Sequence, residues 1–291
     1  MSIVISIRFG RGLGLSRVYL THVVVFVMLV FMNSLFKGRS AIVTGASSGI
    51  GRMIAQTLGM AGMDLWLVGR SAAELEITAG AIIASGGPKA ECVPLDISNR
   101  GVLAALVAEV GESHGNLFAL INNAGVMYPE PSIEADPERS YEMLMINVLA
   151  PLEGCRAAVK VMRSQGSCGH LINISSLAGR NDSYGTYSVS KAALNQLGRV
   201  LRKELENDDI RVTTIIPGGF ATQLARGFSK ESMARFATAA AEVGFDPEGE
   251  DTQRIMGNPQ HVADMVRYVL EQPIDLNLEE ITIRPAFSLD L

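Results

Sequence analysis

From Ser40 onward, short apolar runs alternate with stretches of helical pattern, and nothing else in the chain restricts its possible folds as strongly. The runs 40–44, 65–69, 90–95, 117–122, 170–174, 211–216 and 280–283 read as strands. Between them, 49–61, 72–85, 102–114, 140–164 and 184–207 carry helical periodicity. Strands this short and this continuously apolar are buried on both faces, and the intervening helices are the crossovers that parallel pairing requires. The expected architecture is α/β: a doubly wound parallel sheet of about seven strands. No Pro/Ser-rich linker and no internal repeat divides residues 40–291, so they form one domain.

The first 39 residues differ in character. Arg8, Arg11 and Arg17 precede a run from Tyr19 to Phe36 without a formally charged residue, and no Asp or Glu occurs before Asp64. As a helix that run would be about 27 Å long, close to the ~30 Å hydrocarbon core of a bilayer. A membrane anchor over 19–36 is therefore one expectation. The other is that translation starts at Met32, which would leave only a short lead-in to the first strand.

At the first strand-to-helix turn stands Thr44-Gly45-Ala46-Ser47-Ser48-Gly49-Ile50-Gly51. Glycines placed there let the backbone approach a pyrophosphate, which sits against the unpaired N–H groups of the helix start. Gly45, Ser47, Ser48, Gly49, Ile50 and Gly51 are thus candidate cofactor contacts in a Rossmann-like domain. An acidic residue about 20 positions on would take the ribose 2′-hydroxyl of NAD, whereas a basic one suits the 2′-phosphate of NADP. Arg70 ends the second strand, so NADP(H) is favoured over NAD(H), with Arg52 as a further source of charge.

Tyr187 and Lys191 are four residues apart and share a helix face. A phenol titrates near pH 10, and an adjacent ammonium favours its ionised form. Taken in order, Thr44 to Gly51, Asn122-Asn123-Ala124-Gly125, Asn147, Asn173-Ile174-Ser175-Ser176, Tyr187 with Lys191, and Pro217-Gly218 resemble the short-chain dehydrogenase/reductase family.

That resemblance implies catalytic roles for Ser176, Tyr187, Lys191 and Asn147. Ser176 would hydrogen-bond the substrate oxygen and Tyr187 would exchange a proton with it. Lys191 would lower the tyrosine pKa and bind the nicotinamide ribose, while Asn147 would hold a water that links the lysine to solvent. Asp96 and Ile97 would meet the adenine, and Asn123, Ala124 and Gly125 the adenosine ribose. Pro217, Gly218 and Thr222 would flank the nicotinamide and phosphates. The alternatives are a helix cap for Asp96 and a plain turn for Pro217-Gly218. The interval from Ser176 to Tyr187 is short for the family, which trims the loop around Asn181 and Asp182.

A net charge of −5 removes the basic field that nucleic-acid binding draws on. Cys92, Cys155 and Cys168 have no metal-ligand spacing, and no metal is expected. Residues 219–256, rich in Ala and Met, are expected to form a lid over a partly apolar pocket. The family resemblance further implies a small carbonyl compound or alcohol as substrate and a homodimer or homotetramer as the assembly. Two rivals are a catalytically silent, membrane-anchored nucleotide-binding scaffold and a sugar-nucleotide epimerase-like relative.

Overall fold

The computed structural model describes residues 36–220 and 256–285, together with Thr222, Leu224 and Thr238. The elements in chain order are β1 (Ser40–Thr44), α1 (Gly49–Met60), β2 (Asp64–Gly69), α2 (Ala72–Ala84), β3 (Glu91–Pro94), α3 (Val102–His114) and β4 (Leu117–Asn122). Then come α4 (Pro137–Leu144), a π turn (Met145–Leu149), α5 (Ala150–Gln165), β5 (Gly169–Ile174), α6 (Thr186–Glu204), β6 (Ile210–Pro217), α7 (Gln260–Glu271) and β7 (Glu280–Ile283). The sheet order is β3-β2-β1-β4-β5-β6-β7, and every neighbouring pair is parallel.

Strands β1, β4, β5 and β6 are buried along their whole length, because helices cover both faces of the sheet. The period of two decides which layer each residue enters. Ala41 and Val43 join Ile54 and Leu58 of α1 and Val262 and Val266 of α7. Ile42 and Leu120 point the other way, to Leu103 and Val107 of α3 and Cys155 and Met162 of α5. The chain runs outward in opposite directions from β1 and β4, and this reversal opens a crevice at their carboxyl ends.

The single helix expected over 140–164 departs from that expectation. It begins at Pro137, where Asp136 caps α4 by accepting the Glu138 N–H at 3.0 Å. Its ladder then breaks at the π turn, where the Ala150 N–H reaches back five residues to the Met145 carbonyl. Pro151 supplies the reason. A regular helix would bond residue 151 to the carbonyl of Asn147, but proline has no N–H to give.

Among the described residues no helix is long and apolar enough to cross a membrane. The anchor expected over 19–36 lies outside them except for Phe36, which is buried in the core with its ring 6.2 Å from that of Phe118. The lid expected over 219–256 likewise falls almost entirely outside the described residues.

Candidate active site

The crevice is built first by side-chain-to-backbone ties between the ends of β1 and β4. The Thr44 hydroxyl oxygen accepts the N–H groups of Asn123 and Ala124, each at 3.0 Å. The Asn123 side-chain amide donates to the Thr44 carbonyl at 2.9 Å. Asn123 therefore spends its amide on holding two strand ends together.

Gly45 turns at φ +68°, in the left-handed region that favours glycine. A Cβ on Gly51 would lie 2.2 Å from the Gly45 carbonyl oxygen, so the first turn of α1 folds directly onto the preceding loop. Ser48 stands at the N-cap without a side-chain cap bond, and the first turn of α1 holds no acidic residue. The helix start thus offers N–H donors and positive dipole with no internal anion, an arrangement that fits a nucleotide pyrophosphate.

One cleft of about 310 Å³ gathers most of the residues expected from sequence. Gly45, Ser47, Ser48, Gly49, Ile50 and Gly51 form one wall, and Arg70, Asp96 and Ile97 the end beyond β2 and β3. Asn123, Ala124, Gly125, Tyr187, Lys191 and Thr222 complete it. Ser176, Asn147, Pro217 and Gly218 are not among the residues that line this cleft, and Ser175 lines it where Ser176 was expected. Pro217 is buried opposite Ile283 in the β6–β7 ladder, and the Gly218 N–H donates to the Ile283 carbonyl at 2.8 Å. The edge strand β7 holds both back from the crevice.

At the far end Arg70 is largely exposed, with Nη1 4.0 Å from Oε1 of Glu142. Arg52 is not available as a second cation. Its guanidinium is 2.5 Å from Glu74, donates to the Thr78 hydroxyl at 3.1 Å and also bonds the Ser47 carbonyl. Asp96 accepts the Ser98 N–H at 3.0 Å, and this bonding to Ser98, with Arg70 nearby, holds its carboxyl below the usual range. Asp96 does not cap α3, whose N-cap is Gly101.

At the other end Tyr187 and Lys191 are both buried on α6. Burial pushes Tyr187 up to about 12, against a hydrogen bond with Ser176 that pulls it down. Burial likewise brings Lys191 down to about 8. The expected acidification of the tyrosine by the lysine does not appear: burial, with Tyr184 nearby, raises the phenol, only Ser176 lowers it, and the phenol keeps its proton at neutral pH. The Lys191 ammonium donates to the Ile174 carbonyl at 3.1 Å. Ser176 also accepts the Ala178 N–H at 3.1 Å, which fixes its side chain at the end of β5.

Asn147 is fully buried in the π turn. Its Oδ1 accepts the Val126 N–H at 3.0 Å, and its amide donates to the Val126 carbonyl at 2.9 Å and to Ser190 Oγ at 3.0 Å. Both amide hydrogens are thus spent within the protein. A Cβ on Gly125 would lie 3.3 Å from Asn147 Oδ1 and 3.5 Å from Lys191 Nζ, so the loop after β4 passes close to both.

Val126, Met127 and Tyr128 line the cleft and Ser190 bonds Asn147, yet none of the four was among the expected residues. The three loop residues had a positional signal, because they follow a parallel strand whose carboxyl end faces the crevice. Ser190 had none.

The family described as short chain dehydrogenase matches residues 39–232. An uncharacterized oxidoreductase of Staphylococcus saprophyticus is 32% identical over 247 residues, covering 84% of this chain and 96% of that protein. One of Staphylococcus aureus strain USA300 is 33% identical over the same length and with the same coverage. Among solved structures, a metagenomic short-chain oxidoreductase in complex with NADP has a TM-score of 0.70 at 30% identity, over 87% of this chain and all of that one. An alcohol dehydrogenase of the archaeon Thermococcus sibiricus, complexed with 5-hydroxy-NADP, has a TM-score of 0.71 at 26% identity, over 85% and 97% of the two chains. With its parallel sheet, glycine turn and buried tyrosine–lysine pair in one crevice, the chain belongs to the short-chain dehydrogenase family and is an oxidoreductase of that type.

Proposed function

We propose that residues 40–291 form an NADP(H)-dependent catalytic domain that interconverts a small carbonyl compound and the corresponding alcohol. The observation that carries this reading is the shared cleft, with the glycine turn and Arg70 at one end and Tyr187 with Lys191 at the other. The relatives solved with NADP or 5-hydroxy-NADP support it.

Bound reduced nicotinamide supplies the hydride that adds to the carbonyl carbon. The protein's part is to position the oxygen and give it a proton. Ser176, which lies close enough to Tyr187 to pull its pKa down, would offer a second hydroxyl beside the phenol to the substrate oxygen. Tyr187 holds its proton until the oxygen gains negative charge, and then donates it as general acid. Lys191 has donors beyond the one given to Ile174, and these suit ribose hydroxyls. Its positive charge favours the tyrosinate left after transfer. Asn147 acts by holding Val126 and Ser190 around the lysine, and its carbonyl, which cannot bond a Pro151 N–H, suits the relay water. Exposed Leu149 on the π turn and Val189 and Val200 on α6 suit assembly of like chains.

The test is NADPH oxidation across a panel of aldehydes and ketones, with Tyr187→Phe as control. Turnover that the substitution abolishes supports the reading. Nucleotide binding without turnover on any substrate favours the silent scaffold.

A further inference from the structure

Glu142 faces the cleft's arginine from a different element. It lies in α4, whereas Arg70 follows β2, and the two meet across the end of the crevice. Its carboxylate is anchored: Oε2 accepts the Tyr128 hydroxyl at 2.6 Å, while Oε1 is the atom turned to Arg70. Tyr128 is itself held, with the Arg139 guanidinium 5.1 Å from its ring centre and Arg139 in turn 2.5 Å from Glu130. Glu142 therefore stays beside Arg70 without a strong ion pair to keep it there. A separation of 4.0 Å between half-exposed groups is a weak contact.

We infer that Glu142, held by Tyr128, is a specificity-determining residue that competes with the nucleotide 2′-phosphate for Arg70 and so limits the preference for NADP(H) over NAD(H). This rests on the reading that the cleft takes NADP(H) with Arg70 at the 2′-phosphate. A phosphate on that guanidinium replaces Glu142 as its partner and also brings a second anion close to the carboxylate. NAD(H), which has a hydroxyl at that position, meets neither penalty. Asp96 adds negative charge at the same end and also feels Arg70, but the carboxylate oxygen in ion-pair reach of Arg70 is Oε1 of Glu142, at 4.0 Å.

The test is direct titration of NADPH and NADH, followed by nicotinamide fluorescence, on the full chain and on Glu142→Gln and Arg70→Gln. Gln keeps the acceptor for Tyr128 and removes only the charge. Glu142→Gln is expected to tighten NADPH about three- to tenfold, to change NADH by less than about twofold, and to lose most of this gain at high salt. NADH binding doubles as the check that the variant is folded. If Arg70→Gln weakens NADPH while Glu142→Gln leaves the NADPH-to-NADH ratio unchanged or lowers it, the competition is refuted and the cofactor reading stands. If neither variant moves the ratio, both fall. A shift with Glu142→Gln but none with Arg70→Gln also refutes the inference, because the effect then runs through some other group.

Discussion

The Lys191 ammonium lies 5.9 Å from the centre of the Tyr187 ring, one helical turn along α6, and neither side chain is more than 4% exposed. The amine's hydrogen bond goes to the Ile174 carbonyl rather than to the phenol, and burial dominates both titrations. The tyrosine is pushed up and the lysine down, so at neutral pH the pair stands as a neutral acid beside a cation. That state suits delivery of a proton to a carbonyl oxygen.

Tyr187→Phe removes this proton and leaves the ring. The expected result is a loss of about 10²- to 10⁴-fold in kcat/KM for carbonyl reduction, with the NADPH dissociation constant within about twofold of the parent. Lys191→Met is expected to weaken both. Steady-state kinetics paired with nucleotide titration separates the two, and a Tyr187→Phe enzyme retaining full activity ends the acid assignment.

Arg70 is the cationic side chain at the β2–β3 end of the cleft, since Arg52 is bound to Glu74, Thr78 and Ser47. Arg70→Asp is expected to reverse cofactor choice, lowering kcat/KM with NADPH about tenfold or more and raising the value with NADH. Measuring both constants on one substrate is sufficient. A ratio that stays put contradicts the charge argument.

Gly51 inverts the usual rule for glycine in a helix. An exposed Gly-to-Ala change inside a helix generally stabilises by roughly 0.5–1 kcal/mol. Here the new methyl would lie 2.2 Å from the Gly45 carbonyl oxygen and 2.4 Å from the Asn123 amide. Gly51→Ala is therefore expected to lower Tm and, on the proposed phosphate-binding role of the displaced loop, to weaken nucleotide binding together with it. Thermal melts with and without NADPH report both effects.

His170 is buried on β5, with Nε2 2.8 Å from Thr213 Oγ1, and burial followed by Arg211 lowers its pKa to about 3. The unfolded chain binds this proton near pH 6.5 and the folded one resists it. Stability from this residue is thus complete above pH 6.5 and is lost as pH falls toward 3, by an amount on the order of a few kcal/mol. Urea unfolding at several pH values should show that slope, and His170→Gln should flatten it. Equal slopes in the two proteins would remove His170 as the cause.

The three strands β1, β4 and β7 occur at the residues expected from their apolar runs, and the other four differ only at their ends. The pairing of Tyr187 with Lys191 was equally legible, since the helical period puts residues four apart on one face whatever surrounds them. A Pro-Gly pair reads alike as ligand loop or turn, and the pairing of Pro217 and Gly218 with β7 comes from residues far along the chain. The π turn hid inside a helical pattern, although Pro151 marked the missing bond.

Local sequence alone determined the elements, the glycine cradle and the Tyr187–Lys191 spacing, because each depends on backbone geometry over a few residues. Tertiary structure alone decided that Arg52 is spent on Glu74, that Asn123 ties β1 to β4, and that Glu142 faces Arg70. Those relations are made by parallel pairing and by the reversal of strand order, which bring together side chains whose separation along the chain carries no signal of contact.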